Sequence, residues 1–172
     1  MKRLLLIVCL VVGAGSAMAQ SSIGHVDSQA LLDTLPSRKA ALKDFQEFEY
    51  AGMVELQEME ADLQSAATTL EGKWQSLSPV MQKIEQEKLQ KKQAALVARD
   101  ESFKQELQAY SAELNAPILS MVQEAVQNVA AKNKMDYVMD ATTLLVANGK
   151  DITDEVITEL LKLDAAASAG TN

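Results

Sequence analysis

Cysteine is almost missing from this chain. The 172 residues hold one, Cys9, and it falls in the N-terminal apolar stretch. No internal disulfide can form from it, so stability has to come from packing, length or association. Histidine is limited to His25. A lone imidazole with no cysteine nearby supplies too few partners for a metal site or a nucleophilic triad, so His25 reads as a body or interface residue. Aromatic residues make up only 4% of the chain, which leaves little bulk for a large globular core. A basic excess is lacking too: 16 Lys and Arg face 24 Asp and Glu, a net charge of −8. That balance argues against nucleic acid or an anionic membrane surface as main partner. The longest apolar run, residues 4–12, falls short of the roughly 20 residues that span a bilayer, so no stable membrane insertion is expected.

Motifs for chemistry are equally sparse. Gly72-Lys73 and Gly149-Lys150 lack the upstream glycine and the following Ser or Thr of a phosphate loop. Asp27, Asp136 and Asp140 flank expected strands, where turn and strand-end roles are more natural than acid–base work. The expectation is a non-enzyme with no catalytic residues, no metal and no cofactor.

What is present begins with an export signal. Lys2 and Arg3 precede the apolar run, and Ala17-Met18-Ala19 supplies an A-x-A cleavage pattern. Residues 1–19 therefore read as a signal peptide cut after Ala19, with a retained anchor as the alternative. Cleavage removes two of the 16 basic residues and leaves 14 against 24 acidic ones, a charge of −10.

Residues 20–36 read as a first strand near 22–27, carried by Ile23 and Val26, and a short helix that stops before Pro36. Residues 37–133 read as a helical hairpin. No proline interrupts 37–78, and Leu42, Phe45, Leu56, Met59, Leu63, Ala66, Leu70 and Leu77 keep heptad spacing. Glu49, Gly52 and Lys73 weaken that seam. Ser78-Pro79 supplies an N-cap and a first-turn proline, which predicts a turn near 72–79 and a second helix to about Lys132. Leu89, Leu96, Phe103, Leu107, Tyr110, Leu114, Ile118, Met121 and Ala125 form its stripe. Pro117 predicts a kink near 115–117 or a split of the helix. Arms of about 40 residues reach roughly 60 Å, well beyond a compact domain of this size.

Residues 134–163 read as two body strands, 136–140 and 143–147, and a C-terminal helix N-capped by Thr153. Residues 164–172 read as a disordered tail. The fold class is mainly α with a small β body (α+β). Three short strands from opposite ends of the chain make a poor isolated sheet with open edges. Association cures this, and a homo-oligomer, preferably a trimer, is expected. Ile23, Val26, Tyr137, Val138, Leu144 and Val146 are the candidate body and trimer core.

Several stretches together resemble a known family: Ile23-Gly24-His25-Val26-Asp27, Asn115-Ala116-Pro117-Ile118-Leu119, Met135-Asp136-Tyr137-Val138-Met139-Asp140 and Asp151-Ile152-Thr153-Asp154-Glu155-Val156. Their order around the hairpin is similar to that of the OmpH/Skp periplasmic chaperones, over about residues 23–163. The resemblance implies a homotrimer with a β-barrel-like body assembled between subunits and three arms enclosing a cavity. It implies binding of unfolded outer-membrane or other exported proteins in the periplasm without nucleotide. The best-known members are strongly basic and this chain is acidic, so neither attraction of acidic clients nor lipopolysaccharide binding by basic residues carries over.

Within the arm, Leu56, Met59, Leu63, Leu70, Leu77, Leu89, Leu96, Phe103 and Leu107 are the candidate hairpin seam. Met53, Trp74 and Met81 are candidate client contacts, since flexible thioethers suit promiscuous surfaces, although Trp74 and Met81 could equally seal the turn. Gly52, Gly72 and Pro117 are candidate flex points. Lys88, Lys91 and Lys92, near Glu85 and Glu87, read as a solvated, salt-bridged face. The alternative function is a coiled-coil adaptor linking envelope components, which a single apolar patch at the hairpin tip would favour over a lining spread along the arm.

Overall fold

In the computed structural model residues 22–170 are described. The expected signal peptide and its cleavage site lie outside them. Strand β1 (Ile23–Val26) leads into Asp27, whose carboxylate accepts from the Ala30 amide at 3.0 Å and caps α1 (Ser28–Thr34). Leu35 is extended because Pro36 follows it, and Pro36 then opens α2 (Pro36–Lys73) at the position where its missing N–H costs nothing. A single 3-10 turn (Trp74–Ser76) reverses the chain. Ser78 accepts from the Met81 amide at 3.4 Å and starts α3 (Pro79–Lys132). With 54 residues, α3 is about 80 Å long. It passes Pro117 as one helix, so the split that this proline allowed does not occur.

Beyond α3, Lys134 takes a left-handed backbone conformation (φ 54°) and turns the chain into β2 (Tyr137–Asp140). A 3-10 turn (Ala141–Thr143), β3 (Lys150–Asp151) and α4 (Thr153–Ala169) complete the protomer. The sheet order is β2-β1-β3, both pairings parallel, with Ile23 opposite Tyr137, Gly24 opposite Val138 and Lys150, and His25 opposite Met139 and Asp151.

Three expectations need correcting here. Residues 143–147 are not a strand. The Asp140 carboxylate takes the Thr142 amide at 2.9 Å and its hydroxyl at 2.8 Å, which curls the chain into a turn instead. Both sides of β1 are already occupied, by β2 and by Lys150–Asp151, so 143–147 has no place beside it. Thr153 is not the cap of α4 but its first residue. Asp151 accepts its amide at 2.9 Å and its hydroxyl at 2.6 Å, while the Thr153 hydroxyl oxygen accepts from the Asp27 amide at 3.0 Å. The tail is helical to Ala169, since Ala165, Ala166, Ala167 and Ala169 favour helix.

The core is built mostly by helices. Leu31 and Leu35 from the α1 segment meet Ile118, Ala125 and Val129 of α3 and Ile152, Val156 and Leu160 at α4, with Val26 from the sheet. Of the residues expected to form the body core, Val26 is buried and Val138 packs against the cluster half-buried. Leu144 is half-buried in the loop, whereas Ile23, Tyr137 and Val146 are exposed in the protomer. The helical faces fill the monomer's interior and leave one sheet face uncovered. Leu31→Ala and Leu160→Ala are each expected to lose about 2–5 kcal/mol, read by urea denaturation followed through helical circular dichroism, because both side chains are fully enclosed.

Candidate functional site

The arm is the structure's largest surface, and its register can be read from two ion pairs. Glu55 of α2 meets Arg99 of α3, and Asp62, one heptad further along, meets Lys92, one heptad back. That is an antiparallel pair held in phase. Each helix has only one neighbour, so a seam residue is covered on one side and open on the other. Leu56, Met59, Leu63, Leu70, Leu77, Leu89, Leu96 and Leu107 are all half-buried accordingly, and Phe103 is the buried member.

Phe103 is buried because Gly52 faces it. A Cβ at position 52 would lie 2.0 Å from the ring. Phe48 flanks the ring with centroids 6.0 Å apart, Tyr110 packs against Phe48 at a tilt with centroids 4.8 Å apart, and the Arg99 guanidinium sits 5.5 Å from the Phe103 centroid, over the ring. Gly52 is therefore a socket in a well-packed stretch of the arm, which replaces its reading as a flex point. Gly72 is different: it is exposed at the end of α2, and a Cβ there would meet nothing within 4 Å.

Arg99 also organises the charges. Its Nε and Nη2 donate to the two Glu55 oxygens at 3.1 and 2.9 Å, and Nη1 donates to Glu106 at 2.8 Å and to Ser102 at 3.1 Å. The Arg99 hydrogen bonds hold Glu55 below the ordinary carboxylate range, and Glu55 and then Glu106 raise the guanidinium in turn. The basic cluster of α3 is partly neutralised as expected, Lys88 by Glu85 at 2.6 Å and Lys92 by Asp62.

Apolar side chains stand in solvent along the whole arm. Leu42, Tyr50, Met53 and Val97 are exposed on the shaft, and Val80, Met81 and Ile84 near the turn, where Trp74 is half-buried. Met53, Leu56, Leu96 and Val97 line an open groove of about 470 Å³ edged by Glu60 and Asp100. Of the residues singled out as contacts, Met53 lies in this groove, while Trp74 and Met81 are near the turn; the structure does not bring all three together. The sequence reasoning passed over Tyr50, Val80, Ile84 and Val97. Their signal was available, since each lies off the heptad seam and so has no partner helix to cover it. At the other end of the protomer, Ile23, Tyr137 and Met139 project from one sheet face, with Leu145 and Val146 exposed in the adjoining loop. His25 is buried between these strands, its Nε2 3.8 Å from Asp151.

A small three-stranded parallel sheet carrying a long helical hairpin defines an α+β class of arm-bearing proteins. A crystal structure described as an OmpH-like outer membrane chaperone from Caulobacter crescentus shares this fold, with a TM-score of 0.73 over 86% of both chains at 20% identity. The sequence profile described as "Outer membrane protein (OmpH-like)" matches residues 22–160. The chain is 32% identical over 160 residues to the chaperone protein Skp of Pectobacterium atrosepticum, covering 88% of this chain and 92% of that one. It is 28% identical to the Skp of Yersinia enterocolitica, over 88% and 93%, and 24% identical to that of Vibrio cholerae, over 87% and 88%. The chain belongs to the OmpH-like family.

Gly52→Ala is expected to lower the thermal midpoint, because overpacking costs about 1–3 kcal/mol and outweighs the gain in helix propensity of about 1 kcal/mol. In a Phe103→Ala background the same change should raise the midpoint, and a calorimetric double-mutant cycle reads this reversal of sign. The Glu55–Arg99 pair has its own signature. A depressed carboxylate stabilises the fold above its unfolded pKa and loses that contribution as pH falls through its folded one. Glu55→Gln should therefore weaken the arm at neutral pH and flatten the acid limb of a stability-versus-pH curve.

Proposed function

We propose that the protein is a periplasmic holdase, exported by a signal peptide cut after Ala19, that binds unfolded outer-membrane proteins between helical arms without nucleotide. The single observation that carries this is the spread of uncovered apolar side chains, from Leu42 at the root through Met53 and Val97 to Met81 at the tip. A lining of that extent suits many weak contacts with a disordered chain better than docking of one folded partner. Burial of about 25 cal/mol per Å² gives each contact a modest contribution. Ordering and association offset much of it, so enclosure and number of contacts set the affinity. Met53, Trp74 and Met81 are the proposed client contacts, and Gly72 and Pro117 the proposed positions where the arm adapts to client size. Chaperone relatives with nearly full mutual coverage support this reading. Among the described residues no helix is long and apolar enough to cross a membrane.

The working unit is a homotrimer in which the Ile23, Tyr137 and Met139 face of each sheet is covered by neighbouring subunits in a barrel-like body. An uncovered sheet face with open edges is unstable in isolation, which supports association. Sedimentation of the mature chain is expected to give the trimer mass, and Tyr137→Asp to shift it towards monomer.

The activity test is light scattering of a denatured β-barrel protein diluted from urea, with no ATP present. One trimer per client should suppress the scattering, and Met53→Asp with Val97→Asp should weaken the suppression several-fold, given the cost of presenting charge to an apolar client. Scattering unchanged at stoichiometric trimer would sink the holdase in favour of the adaptor.

A further inference from the structure

Where the arm joins the body, α2, α3 and α4 flank an open groove of about 520 Å³. Its walls are apolar, with Leu114, Pro117 and Ile118 on α3 and Ala41 on α2. Three carboxylates line it, Asp44, Glu113 and Asp164, and no Lys or Arg does. Asp164 is 3% exposed, and its Oδ1 has no hydrogen-bond partner among the described residues. The buried Ser37 hydroxyl on the facing helix has none either, and it lines the same groove.

A carboxylate oxygen withdrawn from water without a donor is costly, and such groups are rare in folded proteins. A Leu at position 164 would extend the core formed by Val156 and Leu160, which lie eight and four residues earlier on the same helical face. Packing alone therefore gives no reason for an acid there.

We infer that this groove binds a short extended peptide segment of a partner protein through a lysine or arginine side chain. The apolar walls take the aliphatic stem, and the cationic head meets Asp164 and Ser37, with Asp44 and Glu113 adding to the negative field. The groove is several times larger than one side chain and open to solvent, which suits a chain segment better than a small enclosed ligand. This binding is separate from client holding on the arm shaft and does not depend on it.

The test uses the mature chain and a fluorescein-labelled peptide of sequence Ala-Leu-Lys-Ala-Ala, with the lysine replaced by norleucine as control, read by fluorescence anisotropy and by amide NMR shifts. The lysine peptide should bind and shift amides around Ser37, Met121 and Asp164. The norleucine peptide should bind at least about tenfold more weakly, the effect of removing one partner of a buried charged pair. Asp164→Asn should erase the difference between the two peptides while leaving aggregation suppression unchanged. Asp164→Leu should raise the thermal midpoint while abolishing peptide binding, whereas a purely structural aspartate would lower it. Equal binding of both peptides, shifts confined to the arm shaft, unaltered discrimination in Asp164→Asn, or equally tight binding of free n-butylamine would each overturn the proposal.

Discussion

The placement of β1 between β2 and β3 constrains everything else in the protomer. Four residues near the start of the described chain pair on one side with a strand more than 110 positions later and on the other with Lys150–Asp151. Parallel neighbours cannot be joined by a tight turn, so the chain between them must leave the sheet and return. Here the excursion is the arm itself. The cost of closing so long a connection grows only slowly with its length, and the helical pairing absorbs much of it. The body helices complete the clasp: Thr153 accepts from the Asp27 amide, and Val156 and Leu160 lie against Leu31. Both feet of the hairpin are thereby fixed in one small core, and the remainder is free to extend.

An arm made of two helices lives with partial burial. Its seam leucines are half-covered, so local stability has to be concentrated where packing is closest. The Gly52–Phe103 contact and the Arg99 network occupy the same stretch and reinforce each other: the ring fills the glycine notch, the guanidinium covers the ring, and two glutamates hold the guanidinium. Towards the turn, Ala66 takes a seam position and Gly72 has open space where a side chain would stand.

Much of this was legible because the signals are local. Pro36 and Ser78-Pro79 mark helix starts by stereochemistry that needs no tertiary context, and heptad spacing gives the stripe that each helix presents. β1 and β2 also came through, since their apolar residues sit on short, bounded segments. Two of the errors lie where a distant partner decides, whereas the helical tail and the start of α4 were missed local signals. Thr143-Leu144-Leu145-Val146-Ala147 has strand propensity but is turned away by the Asp140 carboxylate, whereas Lys150-Asp151 has little and still pairs, because it lies beside β1. Ile152 rather than Thr153 is the N-cap of α4, with Asp151 just before it accepting from the Thr153 amide, a placement that the alternating polar residues do not announce. Gly52 looked like a weak point because its use depends on Phe103, 51 positions away and brought opposite only by the antiparallel register.

Charge explains how that register is chosen. Between Lys43 and Lys73, α2 has acidic residues alone: Asp44, Glu47, Glu49, Glu55, Glu58, Glu60, Asp62 and Glu71. The opposing stretch of α3 supplies Lys88, Lys91, Lys92 and Arg99, so the helices attract when Asp62 faces Lys92 and Glu55 faces Arg99. A slip by one heptad in the direction that brings Glu55 towards Lys92 would strip Arg99 of its bidentate partner and pull Phe103 out of the Gly52 notch. Exposed pairs of this kind add little to stability taken singly. Their effect is on specificity, because a slip of one heptad keeps only one of these two acid–base pairings and loses the aromatic socket as well. The acids left over cannot be paired within the arm, and they give the shaft a negative surface on which its exposed apolar residues are set. The acidic excess thus surrounds the exposed apolar residues of the arm with charge, while Lys92 and Arg99 are the cations whose ion pairs cross between its helices.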